Sequence, residues 1–290
     1  MRRARFRVAI VTTVTVLLIV AGLVASQLPA LGAGALLHPA RRSTVEPLPD
    51  ICEDVRFKGA GVDLKGWRCR GAGVRRGTLV YLHGIADNRG SAVGIVRRFT
   101  QRGFDVIAYD SRAHGESGGM VCTYGFFEKQ DLRLVLDTIE QGPIVLLGTS
   151  LGAAVALQEA AQDARVGAVV AAETFADLRT VAIERAPFFF TLGTIERAFE
   201  VAESEGHFKI EAVSPEAAAR TIGAPVLLIH GSMDRDTPPE HSRRVFDALH
   251  GPKQLILVPG AGHNQSFQGE VWQDVERWID RTLSAPTVSR

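Results

Sequence analysis

The chain has 290 residues, 46% hydrophobic and 22% charged, with 33 Lys and Arg against 32 Asp and Glu for a net charge of +1. That apolar content excludes a disordered chain, and the balance of charge offers no chain-wide basic field for nucleic acid. With 29 Gly, 13 Pro and only 3 Cys, a collagen-like repeat and a disulfide-stapled miniprotein are excluded too. The length suits one α/β domain, and a mean hydropathy of +0.08 raises the question of where the surplus apolar residues sit.

Much of the surplus is at the front. Arg2, Arg3, Arg5 and Arg7 precede an uncharged stretch over 8–28 that is rich in Val, Leu and Ile. About 20 apolar residues, each adding about 1.5 Å of helix, cross the hydrocarbon core of a bilayer. Residues 1–28 are therefore expected to form a retained signal anchor, a transmembrane helix. The arginines would hold the N-terminus in the cytoplasm and place the rest of the chain on the extracytoplasmic side. Small residues at Val24-Ala25-Ser26 and Ala33-Gly34-Ala35 leave a cleaved signal, and hence a secreted protein, as the alternative. Residues 29–50, with their Pro, Ala and Gly, read as a tether to a folded domain over 51–285.

Segments 53–58 and 63–70 read as two strands around Gly59-Ala60-Gly61. A register in which Lys58 faces Asp63 also sets Cys52 opposite Cys69, a pair able to form a disulfide in an oxidising compartment; two free thiols are the alternative. Cys122 then has no partner and reads as a small buried apolar residue.

From residue 78 onward, short apolar runs over 78–82, 104–109, 144–147, 166–171, 226–229 and 254–258 alternate with helical patterns. The helical patterns span 91–101, 126–139, 151–161, 239–249 and 272–283. Unbroken Val, Leu and Ile runs suit strands covered on both faces, and the alternation implies a mostly parallel central sheet flanked by helices, an α/β class. Such sheets carry function beyond the carboxyl ends of their strands. The interval 173–214 is too long for a plain crossover and reads as a small helical cap insertion. Its cluster Phe188-Phe189-Phe190 either glues the cap to the core or lines an acyl-sized pocket or membrane face.

The run Gly148-Thr149-Ser150-Leu151-Gly152 follows a strand and enters an Ala-rich helix. A sharp strand-to-helix turn lifts the Ser150 hydroxyl out of the sheet, and the backbone beside it tolerates little more than glycine. The helix N-terminus offers free N–H groups to a developing oxyanion. A serine hydroxyl needs a base, and the base needs a carboxylate to orient it. His263, in Gly260-Ala261-Gly262-His263, is the candidate base. Asp234, in His230-Gly231-Ser232-Met233-Asp234, is the preferred acid over Asp236, which suits a loop or capping role. The oxyanion donors are expected to be the backbone N–H groups of Leu151 and of Ile85, in Leu82-His83-Gly84-Ile85, where Gly84 admits the substrate. His83 reads as a brace for that loop.

With Tyr109-Asp110-Ser111-Arg112-Ala113-His114-Gly115-Glu116-Ser117 added, these motifs resemble α/β-hydrolase-fold serine hydrolases over about residues 55–283. The pattern is most similar to membrane-anchored or exported bacterial hydrolases of the serine-aminopeptidase-like and lysophospholipase-like kinds. Ala113 stands where similar sequences carry Gly, and Asp110, Arg112 and His114 are expected to stabilise their loop. The resemblance implies hydrolysis of a small-molecule carboxylic ester, short-acyl or lipid-derived, through an acyl-enzyme on Ser150. An aminopeptidase-like amidase, gripping a free amine with Glu196, Glu200, Glu203 or Glu205, is the alternative within enzymes. A binding protein that keeps the fold without catalysis is the alternative outside them. No metal-ligand spacing and no dinucleotide or phosphate loop is present in the required context, so neither metal nor cofactor is expected.

Overall fold

A computed structural model describes residues 2–284. The first two strands make a hairpin: β1 (Cys52–Lys58) and β2 (Asp63–Cys69) pair antiparallel with Lys58 opposite Asp63 and Cys52 opposite Cys69. The two cysteines are joined as a disulfide, and Cys122 is fully buried. Six further strands follow: β3 (Gly77–Leu82), β4 (Phe104–Tyr109), β5 (Ile144–Thr149), β6 (Val166–Ala172), β7 (Val226–Gly231) and β8 (Lys253–Val258). The sheet order is β1-β2-β4-β3-β5-β6-β7-β8, antiparallel from β1 through β4 and parallel from there to β8.

Side chains alternate along each strand between two separate cores. Val80, Leu82, Leu146 and Leu228 face one layer, with α3 (Glu128–Leu136), α4 (Leu151–Ala160) and α8 (Glu240–Ala248). Leu79, Tyr81, Leu147 and Leu227 face the other, with α2 (Val93–Thr100) and α9 (Val271–Ser284). Burial on both faces is the physical reason these strands lack polar alternation.

Some boundaries differ from expectation. The helix expected over 126–139 begins at Glu128, because the buried Glu128 carboxylate accepts hydrogen bonds from the Thr123 and Gly125 N–H groups and the Thr123 hydroxyl, which holds the chain in a turn. Between β6 and β7 lie α5 (Leu178–Glu184), α6 (Leu192–Gly206) and a 3₁₀ turn, Ile210–Ala212, followed by the short α7 (Pro215–Ala219), which composition alone did not suggest.

The largest departure is at the front. The first helix, α1 (Arg2–Leu37), runs past Leu28 and through Pro29, so residues 29–37 are helix and not tether. Proline withholds one ladder donor, but packing secures the turns that follow. Gly32 lies so close to α6 and the turn before it that a Cβ there would stand 2.9 Å from Phe190 and 3.1 Å from Ala198. The last carbonyls are capped, Leu36 by the Tyr124 hydroxyl at 3.0 Å and Leu37 by the Cys122 N–H at 2.8 Å. Ala33 and Leu37 are buried in the core, whereas residues 14–20 and 22–24 are exposed around the helix. By length and composition α1 can cross a membrane. The side chains of Arg2, Arg3, Arg5 and Arg7, which carry the expected orientation, and residue 285 lie outside the described residues.

Candidate active site

Ser150, Asp234 and His263 come from three distant stretches of sequence, each just beyond the carboxyl end of a parallel strand: β5, β7 and β8. The sheet brings them together. The His263 Nε2 atom lies 3.1 Å from Ser150 Oγ, and His263 Nδ1 lies 2.7 Å from Asp234 Oδ2. A carboxylate only accepts, so Nδ1 carries the proton and Nε2 is left to accept from the serine hydroxyl.

The turn at Ser150 is strained, with φ 50° and ψ −113°, a backbone region costly for any residue with a Cβ. Its neighbours permit it only because they lack side chains. A Cβ on Gly148 would fall 2.4 Å from the Gly152 carbonyl carbon, and one on Gly152 would fall 2.1 Å from the Leu82 carbonyl oxygen. Gly84 sits beside the serine, its notional Cβ 3.7 Å from that of Ser150. This brings Ile85 to the wall of the cavity over Ser150. Leu151, the first residue of α4, presents an N–H ahead of the helix ladder. Ile85 therefore lines the same cavity as Ser150, and Leu151 follows the serine directly in the chain.

Of the two aspartates, Asp234 is buried and faces His263, and Asp236 is exposed. Asp234 Oδ1 accepts from the N–H groups of Asp236 and Thr237, both at 2.9 Å. Burial alone would raise the Asp234 pKa, but hydrogen bonds from His230, His263 and Thr237 outweigh it and hold the carboxyl below the usual carboxylate range. His230 is itself fixed between the Thr237 carbonyl and the Ser242 hydroxyl.

The bracing residues behave as their positions suggest. His83 donates from Nδ1 to the Gly84 carbonyl at 2.7 Å and accepts the Ser111 N–H at 2.9 Å, which leaves it neutral and committed to the loop. Asp110 accepts from Arg89 and from the Glu116 N–H, and Arg112 grips Asp131 with two hydrogen bonds of 2.7 Å. Ala113 adopts φ 59°, the left-handed region that explains why glycine suits this position.

One residue escaped the sequence reading. Glu173, fully buried directly after β6, accepts the N–H groups of Asn264, Gln265 and Ser266 and the Ser266 hydroxyl, and so clamps the loop that carries His263. Its one sequence signal is an acid at the carboxyl end of an apolar strand. Glu173, Asp234 and His263 place potential ligand atoms within 4.8 Å of one another. Both carboxylates are already taken by N–H donors, so the donor set does not suit a cation.

The cap glutamates do not gather at Ser150. Glu196 pairs with Arg179, Glu203 with Lys209 at 2.6 Å and Glu205 with His38 at 2.7 Å, while Glu200 borders a separate cavity beside Phe126 and His207. Glu184, on α5, does border the serine cavity, but it pairs with His241 at 2.8 Å.

Comparison with known proteins agrees with this architecture. Residues 77–208 match the model of the alpha/beta hydrolase fold, and residues 207–282 match that of TAP-like proteins. The uncharacterized protein YqkD of Bacillus subtilis (strain 168) is 30% identical over 220 residues, 71% of each chain. The uncharacterized protein YfhR of Escherichia coli (strain K12) is 29% identical over 254 residues, 82% of this chain and 83% of its own. Among solved structures, the Pyrococcus furiosus esterase Pf2001 superposes with a TM-score of 0.65 at 22% identity, covering 85% of this chain and 96% of that one. The Pyrococcus horikoshii acylaminoacyl peptidase superposes with a TM-score of 0.64 at 16% identity, covering 82% and 43%. At these identities the structural neighbours establish the fold alone. Sequence relatives, family models and topology together make the chain a member of the α/β-hydrolase fold family.

Proposed function

We propose that the protein is a serine hydrolase that cleaves carboxylic esters. His263 Nε2 takes the Ser150 proton as Oγ bonds to the acyl carbon, and the Ile85 and Leu151 N–H groups receive the negative charge on the carbonyl oxygen. The ester C–O bond breaks and the alcohol leaves with the proton from His263. Water then attacks the acyl-serine, giving its proton to the same nitrogen, and the carboxylic acid leaves as Ser150 Oγ is reprotonated. Asp234 holds the Nδ1–H and stabilises the imidazolium at each stage.

The hydrogen-bond chain from Ser150 through His263 to Asp234 carries this reading. Pairing of Glu196, Glu203 and Glu205 elsewhere favours an ester over an aminoacyl amide. Topology belongs to the same proposal: α1 is a single-pass anchor and the hydrolase domain lies on the extracytoplasmic side, where the Cys52–Cys69 disulfide would persist. A fluorophosphonate probe should label the full-length protein in detergent and should not label Ser150→Ala. Absence of labelling in folded wild-type protein would refute the assignment.

A further inference from the structure

Two cavities meet at Ile85 and Arg185. The smaller, about 440 Å³, lies over Ser150 and is rimmed by charged side chains, among them Arg185, Arg235 and Asp236. The larger, about 680 Å³, is lined by Leu28, Leu31 and Leu36 of α1 and by Phe190, Ile195 and Phe199 of the cap. We propose that this second cavity is an acyl-chain site for which the anchor helix itself supplies one wall. A single acyl chain enters it sideways from the outer leaflet, bringing the ester carbonyl of a one-chain lipid to Ser150. The proposal rests on the serine-hydrolase reading above and names the substrate class of that site.

Three observations carry it. First, α1 is built into the domain at the cavity: Gly32 packs against Phe190 and Ala198, and Leu37 is 0% exposed with its carbonyl capped. Cleavage at either small-residue run in α1 would detach the helix at or above this wall. Second, burial along α1 changes at the cavity mouth. Side chains over 14–20 and 22–24 are exposed around the helix, and packing starts at Leu28. An apolar helix exposed all round belongs in lipid, so the mouth sits where the helix leaves the bilayer. Leu31 of that helix is 64% exposed, and on the cap the turn that carries Phe189 and Phe190 also presents Phe188, 99% exposed, and Leu192, 69% exposed. An apolar surface of this kind marks a membrane or partner face, and its continuity with a spanning helix selects the membrane. Third, the arm walled by α1 is almost wholly apolar, whereas a neighbouring cavity that shares Ile85 and Ala86 with it has a mixed lining, with Arg42, Asp87, Arg98 and Glu173 beside Phe267 and Trp272, which suits the alcohol portion of a one-chain lipid.

The test uses full-length protein in phosphatidylcholine nanodiscs and soluble p-nitrophenyl esters below their aggregation concentrations. Burying the longer chain in an apolar site favours it, so wild type should turn over decanoate with at least about tenfold higher kcat/KM than acetate. Ala35, on the exposed side of α1 at the cavity, becomes Ala35→Trp to fill the site from the anchor. Ala182→Trp fills it from α5 in case the first variant misfolds. Either should lower the decanoate-to-acetate ratio at least tenfold. Phe188→Asp should lower turnover of monoacylglycerol held in the nanodisc at least fivefold relative to soluble decanoate. Acetate turnover with a ratio that neither Trp variant changes would overturn the acyl site and leave the hydrolase reading standing. No labelling of Ser150 and no ester turnover in wild type would overturn both. An unchanged nanodisc-to-soluble ratio in Phe188→Asp would overturn entry from the leaflet.

Discussion

Asp234 and Asp236 stand two residues apart, and their environments separate them. Asp234 is buried with four hydrogen-bonding partners, whereas the Asp236 side chain is exposed. Asp234→Asn should therefore lower kcat by about 10⁴-fold by orienting the wrong imidazole tautomer, and Asp236→Asn should change it less than about threefold. Steady-state kinetics on one ester decides this, and the reverse order would reassign the acid. His114 offers a second prediction at this scale. Its Nδ1–H donates to the Arg112 carbonyl at 2.8 Å and its Nε2 is buried without a partner. A proton on Nε2 would have no acceptor. Burial, aided by the nearby His83, lowers its pKa to about 4 from 6.5. The unfolded chain binds this proton at a higher pH than the folded one, so stability is full above 6.5 and is lost as pH falls toward 4, by about 3 kcal/mol in all. Urea midpoints measured from pH 7 to 4.5 should fall steeply in wild type and less in His114→Phe; parallel slopes would exclude the residue. Ser150 and His263 were legible because their glycine-flanked loops are distinctive. Glu173 was not, because its role consists of backbone donors 91 to 93 residues away in sequence.

At the scale of elements, the strand-to-helix turn depends on close approach. Gly152 brings α4 against the end of β3, where an added Cβ would fall 2.1 Å from a backbone oxygen that cannot swing aside. Gly152→Ala should cost about 3 kcal/mol or more by overpacking and should abolish probe labelling at Ser150 even where the protein still folds. Thermal melting beside labelling checks both, and wild-type labelling in a folded Gly152→Ala protein would contradict the steric account. Strand positions were legible from sequence because a sheet buried on both faces leaves unbroken apolar runs. Helix starts were less so. Glu128 diverts its carboxylate to the backbone of the preceding turn, a local competition that a pattern of apolar spacing does not register.

For the whole molecule, α1 belongs to two environments. Removing residues 1–27 leaves the packed end of α1 in place, whereas removing 1–38 takes Ala33 and Leu37 out of the core. The first truncation should melt within a few degrees of the full chain. The second should lose about 2–5 kcal/mol, the range for emptying a buried Leu site, and expose apolar cap surface to a hydrophobic dye. Equal melting temperatures would show that the packed end of α1 is dispensable.

The sequence by itself determined the alternation of buried strands and helices, the serine turn, the order of Ser150, Asp234 and His263, and an apolar leader long enough to span a bilayer. Each is written in local periodicity or in residues whose backbone geometry is special. Only the tertiary structure decided which aspartate meets His263, that Glu173 clamps its loop, that Glu196, Glu203 and Glu205 are paired elsewhere, and that α1 continues past Pro29 to wall the cavity beside the serine. Those outcomes depend on contacts between residues far apart in the chain, and no local pattern encodes them until packing against a common core brings the segments together.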